Sequence, residues 1–323
     1  MAATSRVSDS PITAQLPISA EALVKSFERH LKAENKRQAT LDHYIGATRQ
    51  FLAFCSSESL PAIENLTREH VEMWMERLYS THKPHSVRNR FIGVRIFFKW
   101  LAAEGEIDRD PTARIRPPRV DQVDKDVATV DDLKQVFGLL DKLARNRNAP
   151  DGERARAERD ALIIAVLYDT GMRAGELSDL RTEHVNVDTG MIFIEKTKNH
   201  RTRIVRLSPA GIAYLDRYLR HLKATPEYLL EGKRGKMTRS GIYEVVTSRF
   251  AEAGVKATIG PHDLRHTSAS HVVGSMTESE MMTLYGWTDA EMARHYARQA
   301  LEQAALDAHG RASPLAKLMG GAK

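Results

Sequence analysis

The sequence predicts a mainly α chain in two parts, an N-terminal four-helix domain followed by a mixed α+β domain with a small antiparallel sheet. Two observations carry this. Apolar residues recur at i, i+3, i+4 and i+7 spacing through residues 18–113, and beyond a proline-containing connector the helical pattern is broken by two short β-rich runs.

In the first part, Leu23, Phe27 and Leu31 open the pattern, and Leu41, Tyr44, Ile45, Thr48, Phe51 and Leu52 continue it. Val71, Trp74, Met75 and Leu78 form the third group and Val87, Phe91, Val94, Phe98 and Leu101 the fourth. Thr67 and Ser86 stand where N-caps are expected, and Pro61 and Pro84 fall in the breaks. The fourth helix also carries Arg88, Arg95 and Lys99 at i, i+7 and i+11, a basic stripe opposite the apolar face that reads either as a solvated surface or as a surface for DNA. Residues 111–126, PTARIRPPRVDQVDKD, have three prolines and no apolar period, and read as a semi-rigid linker.

Beyond it, Thr129 and Asp132 open a helix, the apolar run ALIIAVLY lies within another over 160–169, and Gly171 ends that one. A short helix near 175–180 precedes β runs at 191–195 and 202–207, which read as a hairpin across the polar segment 196–201. Ser208-Pro209 starts the next helix, and helices near 238–253, 261–273, 277–285 and 288–308 complete the domain. Thr277 with Glu280 and Thr288 with Glu291 both match the capping-box spacing. The domain boundaries that follow are a disordered N-terminus over 1–17, a helical domain over 18–115, a linker over 116–126, a catalytic domain over 127–309 and a C-terminal tail over 310–323.

Composition narrows the function. The 323 residues include 48 Lys and Arg against 42 Asp and Glu, a net charge of +6 that suits a polyanionic partner. The single cysteine, Cys55, excludes an intramolecular disulfide framework and a cysteine-based zinc site, and its helical spacing from Phe51 and Leu52 places it in a core. There is no apolar run near the ~18 residues needed to cross a bilayer and no secretion signal, so a cytoplasmic protein without a membrane partner is expected.

Four motifs carry chemistry. In His262-Asp263-Leu264-Arg265-His266, preceded by Gly260-Pro261, the two histidines and the arginine share one helix face next to the positive helix N-terminus, a patch suited to an anion. A metal held by His262 and His266 is the rival reading, but no HExxH and no carboxylate cluster accompany them. In Asp169-Thr-Gly-Met-Arg173-Ala-Gly-Glu176-Leu177 an apolar helix stops at glycine and presents Arg173. Glu176 is placed to hold its guanidinium, the group whose planar fork meets phosphate oxygens. The hairpin segment from Glu195 to Arg203 carries Lys196, Lys198, Arg201 and Arg203, cations for a DNA backbone and one able to protonate a departing oxygen. Finally, Leu284-Tyr285-Gly286-Trp287 is followed by a helix bearing Tyr296, a phenol that needs neighbouring cations to react.

Taken in order, GMRAGEL, a lysine hairpin, HDLRH, and GW followed nine residues later by tyrosine resemble the tyrosine recombinase (phage integrase) family, and the resemblance covers most of the chain. It implies a SAM-like core-binding domain and a catalytic domain that clamp duplex DNA. By position, Arg173 and Arg265 bind the scissile phosphate, His262 assists proton transfer and Tyr296 is the nucleophile. Glu176 and His266 support them. Lys198 is preferred to Lys196 as the catalytic lysine, because family hairpins resembling TKxxxxR place it five residues before the arginine of the second strand, here Arg203.

Trp287 stands where many members have histidine, and its indole donates but cannot accept a proton. Arg88, Arg95, Lys99, Lys196, Arg201 and Arg203 are candidate DNA contacts. The implied reaction is site-specific recombination through a 3′-phosphotyrosine, without metal or other cofactor. It is carried out by a tetramer on two duplexes, with the tail docking on a neighbouring protomer and unidentified accessory proteins as further candidates. With helices starting near residue 18, a simple two-domain recombinase lacking an arm-binding domain is expected. The competing readings are a type IB topoisomerase-like enzyme and a non-catalytic DNA-binding regulator.

Overall fold

The computed structural model describes residues 18–119, 127–195, 202–222, 224–232, 235–312 and 315. The N-terminus at 1–17, linker residues 120–126 and the hairpin segment 196–201 with Lys196, Lys198 and Arg201 lie outside them, as does most of the tail. The chain divides into two compact units, residues 1–123 and 124–323.

The first unit is built from α1 (Ile18–Ala33), α2 (Gln38–Ser57), α3 (Arg68–Tyr79) and α4 (Pro84–Ala103). Its core is aromatic. Phe51 meets Trp74 and Phe98 edge-on at 5.3 and 5.5 Å, and Phe27 meets Phe97 at 5.2 Å, geometries that favour the ring quadrupoles. Cys55 is buried there, and burial pushes its thiol up to about 12, which makes it inert packing. Thr67 caps α3, its N–H donating to His70 Nδ1 at 3.1 Å. Ser86 caps nothing: α4 begins two residues earlier at Pro84, because proline's missing N–H and fixed φ suit a first helical position. Thr112 and Ile115 are buried, so the start of the proline-containing segment belongs to this core.

The second unit contains α5 (Val130–Arg145), α6 (Asp151–Thr170), α7 (Ala174–Ser178), β1 (Met191–Ile194), β2 (Arg203–Arg206), α8 (Pro209–Leu219), β3 (Glu231–Gly232) and β4 (Gly235–Lys236). It ends with α9 (Arg239–Glu252), α10 (Pro261–Val272), α11 (Glu278–Tyr285) and α12 (Glu291–Ala312). The apolar run in α6 is buried on all sides from Ala161 to Leu167, and α5, α8, α9 and α10 pack around it. The helix starts ten residues before the apolar run, since its first turns are polar and leave no apolar period to read. β1 and β2 pair antiparallel in the register Met191 with Arg206 and Ile194 with Arg203, as the hairpin reading requires. The two-residue pair of β3 and β4 was not anticipated, being too short for any alternation.

In the second unit, capping follows the predicted chemistry with one exception. Thr129 Oγ1 accepts from Asp132 N at 3.1 Å, and Thr277 Oγ1 from Glu280 N at 3.3 Å. At α12 the cap is not Thr288; the Glu291 N–H donates to Asp289 Oδ1 at 2.8 Å, a carboxylate that also suits the positive helix end. Asp169, near the end of α6, accepts from Ser208 N at 2.6 Å and ties the β2–α8 turn to the core.

Candidate active site

Helix α6 ends at Gly171, whose φ of 60° is the left-handed conformation that L side chains resist; a Cβ there would also run into the ring of Tyr285. This stop turns the chain so that Arg173 becomes the N-cap of α7, with extended backbone. Its backbone N–H donates to Glu176 Oε2 at 2.9 Å and its guanidinium Nη1 to Glu176 Oε1 at 2.9 Å, leaving the side chain 33% exposed. Glu176 therefore fixes Arg173 twice.

Glu176 is shared. Arg203 donates to its two oxygens at 2.9 and 2.8 Å and, through Nε, to the Leu284 carbonyl at 3.0 Å. Both partners are buried. This corrects the expectation that Arg203 contacts DNA: all three edges of its guanidinium are turned inward, joining β2 to α7 and to the end of α11. Burial works to raise the Glu176 carboxyl, but hydrogen bonds and charge from Arg203, and then Arg173, outweigh it and hold the group below the usual carboxylate range.

Arg265 comes from α10, which starts at Pro261 with the Gly260 N–H donating to Asp263 Oδ2 at 2.9 Å. The guanidinium is buried, donates to the carbonyls of Gly171 and Tyr285, and lies 5.2 Å from the Tyr285 ring and 5.9 Å from the Trp287 ring. Burial, then the charges of Arg173 and Arg203, pull its pKa down to about 10. Two more guanidiniums acting on a buried one leave positive charge in excess of the single carboxylate between them, which an anion would relieve.

The aromatic side of the site begins at Gly286, the left-handed cap of α11. Trp287 stacks with Tyr285 at 4.8 Å and 16°, and with Tyr296 at 5.6 Å and 9°. Tyr296, on the second turn of α12, is 3% exposed, and its hydroxyl is hydrogen-bonded to His266 Nδ1. His266 Nε2 lies 3.2 Å from His262 Nε2, one turn earlier on the same face of α10. Burial raises the Tyr296 phenol above its ordinary value, against the charge of Arg265.

Of the site residues read from sequence, the second unit brings Arg173 and Glu176 together, and links Arg265, Trp287, Tyr296, His266 and His262 through successive contacts. In the first unit, Arg88 is half-buried and donates to the Pro118 carbonyl at 2.9 Å, Arg95 is half-buried and Lys99 exposed. Tyr285 was missed. Its ring backs Trp287 and Arg265, and its hydroxyl pairs with Ser268 at 2.7 Å, yet in sequence it is one more apolar position at the end of a helix. The inward role of Arg203 has no local signal either, since Glu176 lies far from it in sequence. Among the described residues, no three His, Cys, Asp or Glu side chains are grouped to hold a metal ion, and no helix is long and apolar enough to cross a membrane.

The phage integrase family profile matches residues 134–303, and that of the phage integrase N-terminal SAM-like domain matches residues 23–105. A tyrosine recombinase of Pseudothermotoga lettingae is 27% identical over 238 residues, covering 72% of this chain and 78% of its own. Tyrosine recombinase XerD of Staphylococcus aureus is 27% identical over 262 residues, covering 78% of this chain and 85% of its own. A lambda integrase dimer bound to a COC′ core site shares the fold with a TM-score of 0.68 at 17% identity, covering 86% of this chain and 94% of that one. XerH recombinase in a post-cleavage complex with a difH substrate does so with a TM-score of 0.67 at 19% identity, covering 90% and 84%. With a family profile covering more than half of the sequence and a second covering its helical N-terminal unit, the chain belongs to the phage integrase family of tyrosine recombinases.

Proposed function

We propose that this protein is a site-specific DNA recombinase that cuts and rejoins strands through a 3′-phosphotyrosine on Tyr296. The observation that carries the reading is the position of Trp287, whose indole lies against both the Arg265 guanidinium and the Tyr296 ring and so joins an anion site to a nucleophile. Arg173 and Arg265 hold the non-bridging phosphate oxygens, and their excess charge is offset most as the transition state gathers negative charge. Trp287 offers its indole N–H as a further donor. Tyr296 attacks phosphorus; the 5′ oxygen leaves with the bond's electron pair and takes a proton from Lys198; His262 assists proton movement. A 5′-hydroxyl from a partner strand then reverses the step. One ester replaces another, so no energy source is required.

The solved relatives include a lambda integrase tetramer bound to a Holliday junction. By analogy we assign this protein a tetramer on two duplexes, with the tail beyond residue 309 docking on a neighbour, and we place it in the cytoplasm at the nucleoid. The test is to select a binding duplex from a random pool with the full chain, incubate it in EDTA, and identify the ends. A covalent adduct with a free 5′-hydroxyl, labelled by kinase without prior phosphatase, is expected. Cleavage that stops in EDTA or leaves a 5′-phosphate contradicts the reading, and relaxation of supercoils without strand exchange would favour a topoisomerase.

A further inference from the structure

We propose that His266 is the proton acceptor for Tyr296 and passes the proton to His262, so that the nucleophile is activated through a phenol–imidazole–imidazole relay along the first turns of α10. The inference rests on Tyr296 being the nucleophile, as proposed above, and adds a catalytic residue to it.

The geometry points to a relay because each nitrogen of one imidazole faces a different polar partner. The Tyr296 hydroxyl meets His266 Nδ1, and His266 Nε2 lies 3.2 Å from His262 Nε2, with the two rings at 70° and 4.5 Å between centroids. The sequence produces this directly: in HDLRH the two histidines are four residues apart, one helical turn on the same face, and α12 packs on α10 to bring the tyrosine to the second of them. Exposure grades along the chain of groups, from buried Tyr296 through half-buried His266 to exposed His262.

One arrangement of protons satisfies both contacts. The phenol O–H donates to His266 Nδ1, the His266 Nε2–H donates to His262 Nε2, and His262 keeps its own proton on Nδ1. When the phenol oxygen attacks phosphorus, its proton moves to Nδ1 of His266 while the Nε2 proton moves to His262. His266 stays neutral and His262 becomes imidazolium. The electron pair of the O–H bond forms the O–P bond, and that of the broken P–O bond departs on the 5′ oxygen. On rejoining, the tyrosine oxygen leaves phosphorus and recovers its proton from His266 Nδ1. A buried phenolate is costly, and the relay avoids it by carrying the positive charge out to the exposed end at His262. A direct transfer to His266 alone would leave a half-buried imidazolium.

The test is single-turnover cleavage by the full chain at saturating concentrations of a nicked suicide duplex, made with either an ordinary 5′ oxygen or a bridging 5′ sulfur at the scissile position. Sulfur departs as a thiolate and needs no proton, so it hides the loss of an acid but not the loss of a base. His266→Gln and His266→Asn both keep hydrogen-bonding capacity without the ability to relay a proton. Each is expected to cleave the oxygen substrate about 100-fold more slowly than the unchanged protein, and to remain similarly slow on the sulfur substrate. Cleavage by either variant at the unchanged rate or faster overturns the proposal, and would make His266 a latch that merely holds the tyrosine. A defect that disappears with sulfur also overturns it, by placing His266 on the leaving-group side. Tyr296→Phe separates the two claims: an adduct that survives it refutes the nucleophile itself, whereas an adduct lost in Tyr296→Phe with both His266 variants unaffected refutes the relay alone.

Discussion

Glu176 holds two guanidinium groups on one buried carboxylate, and this arrangement sets the position of Arg173. Because its pKa is depressed, the ionised form contributes stability at pH values above the ordinary carboxylate pKa of about 4.3. That contribution disappears as pH falls through the lowered folded value. Thermal melts from pH 7 downward should show this loss in the unchanged protein, while Glu176→Gln, already less stable at pH 7, should lose less on acidification; equal acid loss in both would contradict it. Removing one partner of a buried pair costs about 3–5 kcal/mol, so Arg203→Leu should lower the melting temperature markedly, where a DNA-facing arginine would leave it unchanged. The pairing of Arg173 with Glu176 was legible because the two lie three residues apart. The partner of Arg203 was not, because a buried ion pair between β2 and α7 is a long-range contact with no periodic signature.

At the scale of elements, the site depends on where helices stop. Gly171 ends α6 in a left-handed turn against the Tyr285 ring, and the carbonyl of that same glycine accepts from Arg265. Gly171→Ala should therefore destabilise the protein by more than about 1 kcal/mol, combining backbone strain with a clash, and denaturant titration measures it. Thr277→Ala, which removes the α11 cap, should cost about 1 kcal/mol, with Thr288→Ala near neutral because Asp289 does the capping at α12. Helix starts were legible at Thr129 and Thr277, where a side-chain oxygen lies three residues before a matching group. They failed at Ser86 and Thr288, where a neighbouring Pro84 or Asp289 competes for the same role and spacing alone does not rank the two.

For the whole molecule, the proposal is a two-unit enzyme whose helical part holds duplex DNA while the mixed part cuts it. Arg88, Arg95 and Lys99 test the first half: changing each to glutamine should reduce the salt dependence of DNA binding by about 1 in log–log slope for every residue that meets a phosphate. An unchanged slope would return the stripe to an ordinary solvated face. Deleting residues 310–323 should weaken assembly more than binding to a single site, and equal loss of both would argue against docking of the tail. Fold class and family were legible because periodicity reports helices and the motifs keep their order. The most direct measurement is the covalent adduct on a nicked suicide duplex. The unchanged protein should form a stable 3′-phosphotyrosyl link and Tyr296→Phe none, at equal DNA binding; an adduct that persists in Tyr296→Phe would contradict the account at its centre.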